Sequence, residues 1–189
     1  MLPGRINQSS AQAQGDIVGG NKTSTFNHNY YSTPAGRVER YMQLLEHEMN
    51  TSIHTQVIID GLQFYYNKAA PDGIVGLEAK LEHAARQDEL FIALEKKELF
   101  VKLLYKYEMY ASAQRLFAYL LSKAESEFNS AVHPSISDLS RAETSILISE
   151  RIINPIVNEC GFGPLDINHN IVMGMIYWLA EQCFVRWHQ

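Results

Sequence analysis

Cysteine is scarce in this sequence, and positive charge does not dominate it. Two cysteines, Cys160 and Cys183, occur among 189 residues, which is too few for a disulfide framework. The start of the sequence has no basic region followed by an apolar stretch, so this pattern favours a reducing cytoplasm over secretion. The net charge of −5 argues against the basic surface with which proteins bind DNA or an anionic membrane. We therefore expect a cytoplasmic protein with no direct nucleic-acid contact and no membrane contact.

A complete phosphate-binding loop is also missing, although the stretch GDIVGGNKT at residues 15–23 comes close to one. Such a loop needs Gly-x-x-x-x-Gly-Lys-Ser/Thr, so that backbone N–H groups and the lysine surround the phosphates. Asn21 stands between Gly20 and Lys22 and moves the lysine one residue out of register. The flanking residues are polar, whereas a phosphate loop follows a buried strand and opens a helix. We predict no nucleotide cofactor.

Metal-binding and nucleophile motifs are absent as well. The seven histidines form neither His-Glu-x-x-His nor Glu-x-x-His, and no Gly-x-Ser-x-Gly elbow occurs. The stretch PDGIVGLEAK imitates a restriction-type nuclease, but Glu78 and Lys80 fall two residues apart on a predicted helix and point away from each other. We predict no catalytic residue, no metal ligand and no cofactor, so the chain is not expected to be an enzyme.

The residue composition divides the chain into two parts. Residues 1–35 are rich in Asn, Gln, Ser, Thr and Gly and carry only three charged side chains, those of Arg5, Asp16 and Lys22. Such a segment cannot bury enough apolar surface to form its own core. The rest of the chain is dense in apolar residues at helical spacing. We predict a polar, Gly-containing leader over residues 1–35 and an all-α, compact multi-helix interaction domain over residues 36–189.

Apolar periodicity predicts the helices of this domain. It indicates a helix from Arg37 onward, a second over residues 54–68 and a short one around Leu77. Residues 88–128 contain neither proline nor glycine. We expect one long helix there, or two helices with a break near the sequence YEMYAS.

Two local signals mark the following helix, and the last helix stands out by its apolar character. Ser140-x-x-Glu143 has the form of a capping box, and Pro155 should kink or end the helix that starts there. From Ile171 the last helix has apolar residues on two faces, in stripes that run on to Trp187. It is too short and too often interrupted by polar residues to span a membrane. We predict a central buried helix, or one whose second face packs on a partner chain.

The leader contains apolar residues around its glycines. Over residues 15–31 we predict one or two short β-strands, or a hairpin around Gly19 and Gly20. An isolated hairpin is marginal in water, so we expect this segment to pair with the same segment of another chain. The protein is thus predicted to be a homo-oligomer.

The end of the sequence resembles a known family. The run GMIYWLAEQCFVRWH, residues 174–188, is similar to the closing signature of the C-terminal domain of bacterial ABC three-component conflict systems. The resemblance extends back through residues 88–129, and the stretch GDIVGGNK resembles the short glycine-containing linker that precedes such domains.

This resemblance implies a role in defence against phage or other invading DNA. In such systems an SMC-like ABC ATPase and a middle component act with a third protein, whose effector is joined to this kind of domain. The domain is taken to couple the effector to the ATPase by protein–protein contacts. We expect the effector in cis, if the chain is a piece of a longer protein, or in trans.

The sequence therefore favours a non-catalytic interaction domain, with two alternatives. One is a general helical scaffold or adaptor unrelated to defence, and the other is a small enzyme whose site is assembled from residues far apart in the chain. The residues predicted to contact partners are Ile17, Val18, Phe26, Tyr30, Tyr31, Trp178, Glu181, Gln182, Arg186 and Trp187.

Overall fold

The computed structural model describes residues 36–66, 70 and 72–188. Within these residues the chain is all-α, as predicted, and contains no strand. The leader, with its predicted β segment at residues 15–31, lies outside the described residues. The described α-helices are α1 (Arg37–Thr51), α2 (Asp60–Gln63), α3 (Gly76–His83), α4 (Leu90–Tyr107), α5 (Ala111–Glu127), α6 (Arg141–Ile148), α7 (Asn154–Cys160) and α8 (His169–Glu181).

The predicted helix over residues 54–68 is largely wrong. Only α2 and the 3-10 turn Phe64–Tyr66 are helical in this region. In the segment before α2, the side chain of Gln114 bonds backbone groups that a helix would pair with each other. Its Oε1 accepts from the Ile59 N–H at 2.7 Å, and its Nε2 donates to the Val57 carbonyl at 3.2 Å. Because these backbone groups are bonded to a side chain of α5, the segment is not helical.

Residues 88–128 form two helices, the second of the two predicted alternatives. α4 ends at Tyr107 and α5 begins at Ala111, with Tyr110 in an extended conformation between them. The break lies within the stretch YEMYAS. It is held by the Thr55 N–H, which donates to the Met109 carbonyl at 2.7 Å.

The capping box predicted at the start of α6 is confirmed, whereas the helix does not end at Pro155. Ser140 and Glu143 form a complete capping box at its start. The α-helix ends at Ile148, where a π turn, Ser149–Ile153, leads into α7. Pro155 lies in the first turn of α7, directly after the π turn, and α7 continues beyond it to Cys160.

The core is built around α8, which confirms the predicted central helix. Nearly every residue from Ile171 to Ala180 is buried, and α8 packs on α4 over most of its length. The close approach of the two helices requires glycine at position 174, because a Cβ built there would lie 2.1 Å from the Lys96 carbonyl oxygen.

The predicted continuation of α8 to Trp187 is wrong. The helix ends at Glu181, and Cys183 takes up the left-handed conformation at φ 63°. The Cys183 N–H donates to Ala180 and the Phe184 N–H to Leu179, the pattern of a Schellman motif. The chain therefore turns at this point, and the side chains of Phe184 and Trp187 reach the core after the turn rather than along a helical stripe.

Candidate partner interface

The C-terminal residues predicted to contact partners are clustered at the end of α8, but most of them make contacts within the fold. Glu181 joins three helices. One of its carboxylate oxygens accepts from the Leu77 N–H at 2.8 Å, and the other lies 3.4 Å from Lys97 Nζ. A carboxylate at the start of α3 satisfies a free backbone donor and is favoured by the helix dipole.

Trp178 and Trp187 are buried, with exposed fractions of 5% and 2%. The Trp178 ring meets Phe100 at 5.6 Å, and the Trp187 ring meets Phe128 at 5.3 Å. Both indoles stabilise the core through these aromatic contacts. Their predicted contact with a partner stays a prediction, and in this fold neither ring is available without an opening of the core.

Arg186 lies in a small polar cluster at the chain's end, and Gln182 is half-buried nearby. Arg186 and His188 both approach Oδ2 of Asp72, at 3.4 and 3.2 Å, and the Ile74 N–H donates to Oδ1 at 3.0 Å. The Ile74 N–H, together with His188 and Arg186, lowers the pKa of Asp72 to about 2. The cluster thus ties the C-terminal segment to the turn before α3.

We expect Asp72→Asn to remove part of the acid sensitivity of the domain. A carboxyl with a folded pKa of about 2 and an ordinary value of 3.8 stabilises the fold above about pH 4, and this contribution is lost as the pH falls toward about 2. The free energy of unfolding should therefore fall more steeply for the wild type than for Asp72→Asn over this range. Urea unfolding at stepped pH measures both, with Asp138→Asn as the control at an exposed aspartate. Equal slopes for the wild type and Asp72→Asn would contradict the expectation.

Two groups with the potential for chemistry are used in packing and capping. Burial raises the pKa of the Cys160 thiol to about 12, which keeps it protonated and unreactive at neutral pH. Lys80 is fully buried and donates to the Ala180 carbonyl at the C-terminus of α8, where a cation is favoured. Among residues 36–66, 70 and 72–188, no group of three or more His, Cys, Asp or Glu side chains could hold a metal ion.

An exposed aromatic side chain that sequence reasoning missed lies between α7 and α8. Phe162 is fully exposed at the tip of a short turn, residues 161–164, called here the Phe162 turn. Gly161 takes φ 54°, which glycine adopts without strain. The sequence signal is a phenylalanine between two glycines and before a proline. That pattern predicts a turn but does not tell on which side the ring lies.

The rest of the Phe162 turn is held in place from two sides. A Cβ at Gly163 would lie 3.2 Å from the Met42 sulfur of α1, so the turn lies directly on that helix. On the other side, the Tyr107 hydroxyl donates to the Pro164 carbonyl at 3.2 Å. The ring of Phe162 is thus presented from a supported backbone, which lowers the ordering cost of a contact made by this side chain.

A groove of about 400 Å³ lies beside the Phe162 turn. Glu39 and Glu46 of α1 line one side of it, and Glu159 of α7 lies on the other. Glu159 accepts from Tyr119 and pairs with Lys123, so part of the negative charge is already balanced. The surface suits a partner that offers an apolar pocket for the ring and basic or neutral groups around it.

One known protein family is similar to more than half of the chain. A family model described as C-terminal domain 9 of the ABC-three component (ABC-3C) systems matches residues 76–187. The match begins at α3 and includes α4, α8, the Phe162 turn and Trp187, and it confirms the resemblance seen in the sequence. No curated protein and no solved structure matches the chain. In the described part of the chain, no helix has the length and apolar character that a membrane crossing requires.

Proposed function

Because the chain belongs to the family of C-terminal domain 9 of ABC-three component systems, we propose that it couples the other parts of such a system without catalysing a reaction itself. Its partners are an SMC-like ABC ATPase and a middle component on one side and an effector, in cis or in trans, on the other. The whole acts in bacterial defence against phage, in the cytoplasm. Family membership favours this function over a general adaptor unrelated to defence.

The non-catalytic part of the proposal is supported by the way reactive groups are used. Lys80 caps α8, Glu181 caps α3, and Asp72 anchors the C-terminal segment. Each of these side chains bonds to the protein's own backbone or to another side chain. Asp72 and Lys80 also line a cavity of about 290 Å³, so the support comes from the structural bonds that these side chains make and not from a lack of space beside them.

The Phe162 turn is the contact surface that we propose for the coupling. A fully exposed aromatic ring on a supported turn exposes apolar surface to water, and aromatic side chains of this kind dominate the binding energy of protein interfaces. The turn lies inside the matched stretch, residues 76–187. We assign Phe162 as the anchor of the contact with the ATPase or the middle component.

We expect Phe162→Asp to reduce recovery of the ATPase and middle component about tenfold or more, because the ring would be replaced by a charge in an apolar pocket. The test is copurification of the full chain with the products of the neighbouring genes, expressed together. Ile146→Asp, at an exposed aliphatic residue of α6, is the matched control and should leave recovery unchanged.

The outcomes of this experiment separate two questions. Recovery of no ATPase by the wild-type chain would contradict the coupling function. Full recovery by Phe162→Asp would instead contradict only the role of this ring. Equal losses in Phe162→Asp and Ile146→Asp would show that added charge at any exposed position is responsible, and would also remove Phe162 as the anchor.

A further inference from the structure

α4 has large apolar side chains on two opposite sides, and only one side is covered within the described residues. Ala93, Phe100 and Leu104 are buried on the side that packs on α8. The opposite side is defined here as the α4 outer face, and its large side chains are exposed by two fifths to nearly three quarters. The residues of the α4 outer face are Phe91, Leu94, Glu95, Glu98, Leu99, Lys102, Tyr105 and Lys106 of the helix, together with Met109 in the break that follows it.

The α4 outer face has the spacing of a helix-packing seam. Its central positions are 91, 94 or 95, 98, 102, 105 and 109, which alternate by three and four residues. This is the arrangement by which one helix packs lengthwise against another. A shallow depression of about 580 Å³ runs along it between Phe91 and Lys102. The face is therefore shaped for a second helix rather than for a small ligand.

Two pairs of positions on this face match each other in reverse order, namely 98 with 102 and 91 with 109. Glu98 and Lys102 lie near its middle and pair within the chain at 3.1 Å. Phe91 lies at one end and Met109 at the other, at equal distances along the chain from the midpoint of this pair. In two antiparallel copies of this face, Phe91 of one copy therefore lies opposite Met109 of the other, and the Glu98 carboxylate lies opposite the Lys102 ammonium group.

We propose that the α4 outer face binds the same face of a second copy, with the two helices antiparallel about a two-fold axis. In this arrangement Glu98 of each copy meets Lys102 of the other, and Phe91 packs near Met109 of the other. A parallel arrangement would place Glu98 on Glu98 and Lys102 on Lys102, so like charges would be opposed at the centre. A two-fold axis requires a self-complementary surface, and the antiparallel arrangement provides it.

This dimer uses residues separate from the Phe162 turn, and it does not depend on the coupling function. It also differs from the pairing predicted for the leader, because it involves only residues of α4 and the break that follows it. Each copy would keep its own Phe162 turn. The assembly would thus present two such turns to the other components.

The test is the molar mass and dissociation constant of the full chain, from light scattering and sedimentation over a range of concentrations. We expect a dimer for the wild type. Phe91→Asp should weaken it by about tenfold or more, because a charge replaces an apolar contact repeated twice in the dimer. Ile146→Asp, remote in sequence from α4, should leave the dissociation constant unchanged.

Charge reversal tests the antiparallel order itself. Glu98→Lys should weaken the dimer about tenfold, because two attractive pairs become repulsive. Adding Lys102→Glu to the same chain should restore the wild-type dissociation constant, since the opposed pairs are again of opposite sign. The circular dichroism melting curve of each variant verifies that its helical domain is folded.

Every outcome decides the proposal. A monomeric wild-type chain would overturn it, and so would a dimer that Phe91→Asp and Glu98→Lys leave unchanged, which would point to another surface such as the leader. Weakening by Glu98→Lys without recovery in the double variant would overturn the antiparallel order. Recovery in the double variant supports it, and it does so whether or not the ATPase binds.

Discussion

Replacing Gly174 with alanine is expected to destabilise the domain by about 3 kcal/mol. A Cβ at this position would lie 2.1 Å from the carbonyl oxygen of Lys96, 2.9 Å from its carbonyl carbon and 3.1 Å from the Phe100 Cβ. The Lys96 atoms belong to the main chain of α4, so no side-chain rotation relieves the collision. α4 and α8 would have to move apart along the interface that buries α8.

Urea unfolding of the wild type and the variant measures the difference. Gly61→Ala is the matched control, because a Cβ there would lie 3.6 Å from the Ala118 Cβ, an ordinary contact. We expect that variant to change the free energy of unfolding by less than about 1 kcal/mol, with a small gain from the lower entropy of the unfolded chain. Similar losses in both variants would show that the α4–α8 spacing does not require glycine.

Trp178→Ala is expected to lower the free energy of unfolding by about 3 to 5 kcal/mol, because it removes a large buried side chain and leaves a cavity. The indole is only 5% exposed and meets the rings of Phe100 at 5.6 Å and Tyr66 at 5.7 Å. Thermal and urea unfolding of the purified chain, without any partner, measures the effect. Trp178→Phe should lose less, since most of the ring contacts are kept.

The matched comparison for Trp178 is Phe162→Ala, which truncates an aromatic side chain that is fully exposed. We expect this variant to stay within about 0.5 kcal/mol of the wild type, as exposed positions usually do. If Trp178→Ala kept full stability and lost only the ATPase, the indole would be a partner contact, as the sequence predicted. If both variants lost stability equally, burial would not be the cause.

Local signals predicted the parts of the fold that depend on residues close together in the chain. The capping box of Ser140 and Glu143 is complete, since it needs only two side chains and two backbone N–H groups within one turn. The burial of α8 was also predictable, because it follows from an uncharged stretch that one helix brings together. The break near YEMYAS was only one of two predicted alternatives, and a bond from the distant Thr55 lies at it.

Signals that depend on distant residues were not available from the sequence. The segment before α2 is not helical, because Gln114, on α5, bonds the backbone at Val57 and Ile59. Glu181 caps α3 across a separation of more than one hundred residues, and its predicted role was partner contact. From the sequence alone, the side chains of Gln114 and Glu181 would be expected to face water, because only the packing of the helices brings their hydrogen-bond partners near them.

The sequence by itself determined that the body of the chain is all-α and that its stretch over residues 76–187 belongs to C-terminal domain 9 of the ABC-three component systems, because helical spacing and the closing run of the chain are local properties. Only the tertiary structure decided which apolar residues are covered. The Schellman turn at Cys183 brings Trp187 into the core, whereas the turn at Gly161 leaves Phe162 in water. α8 covers one side of α4 and leaves the other exposed. Burial depends on which surfaces meet in three dimensions. Apolar spacing along one helix cannot distinguish a face that is buried in the core from a face that is exposed and free to bind another chain.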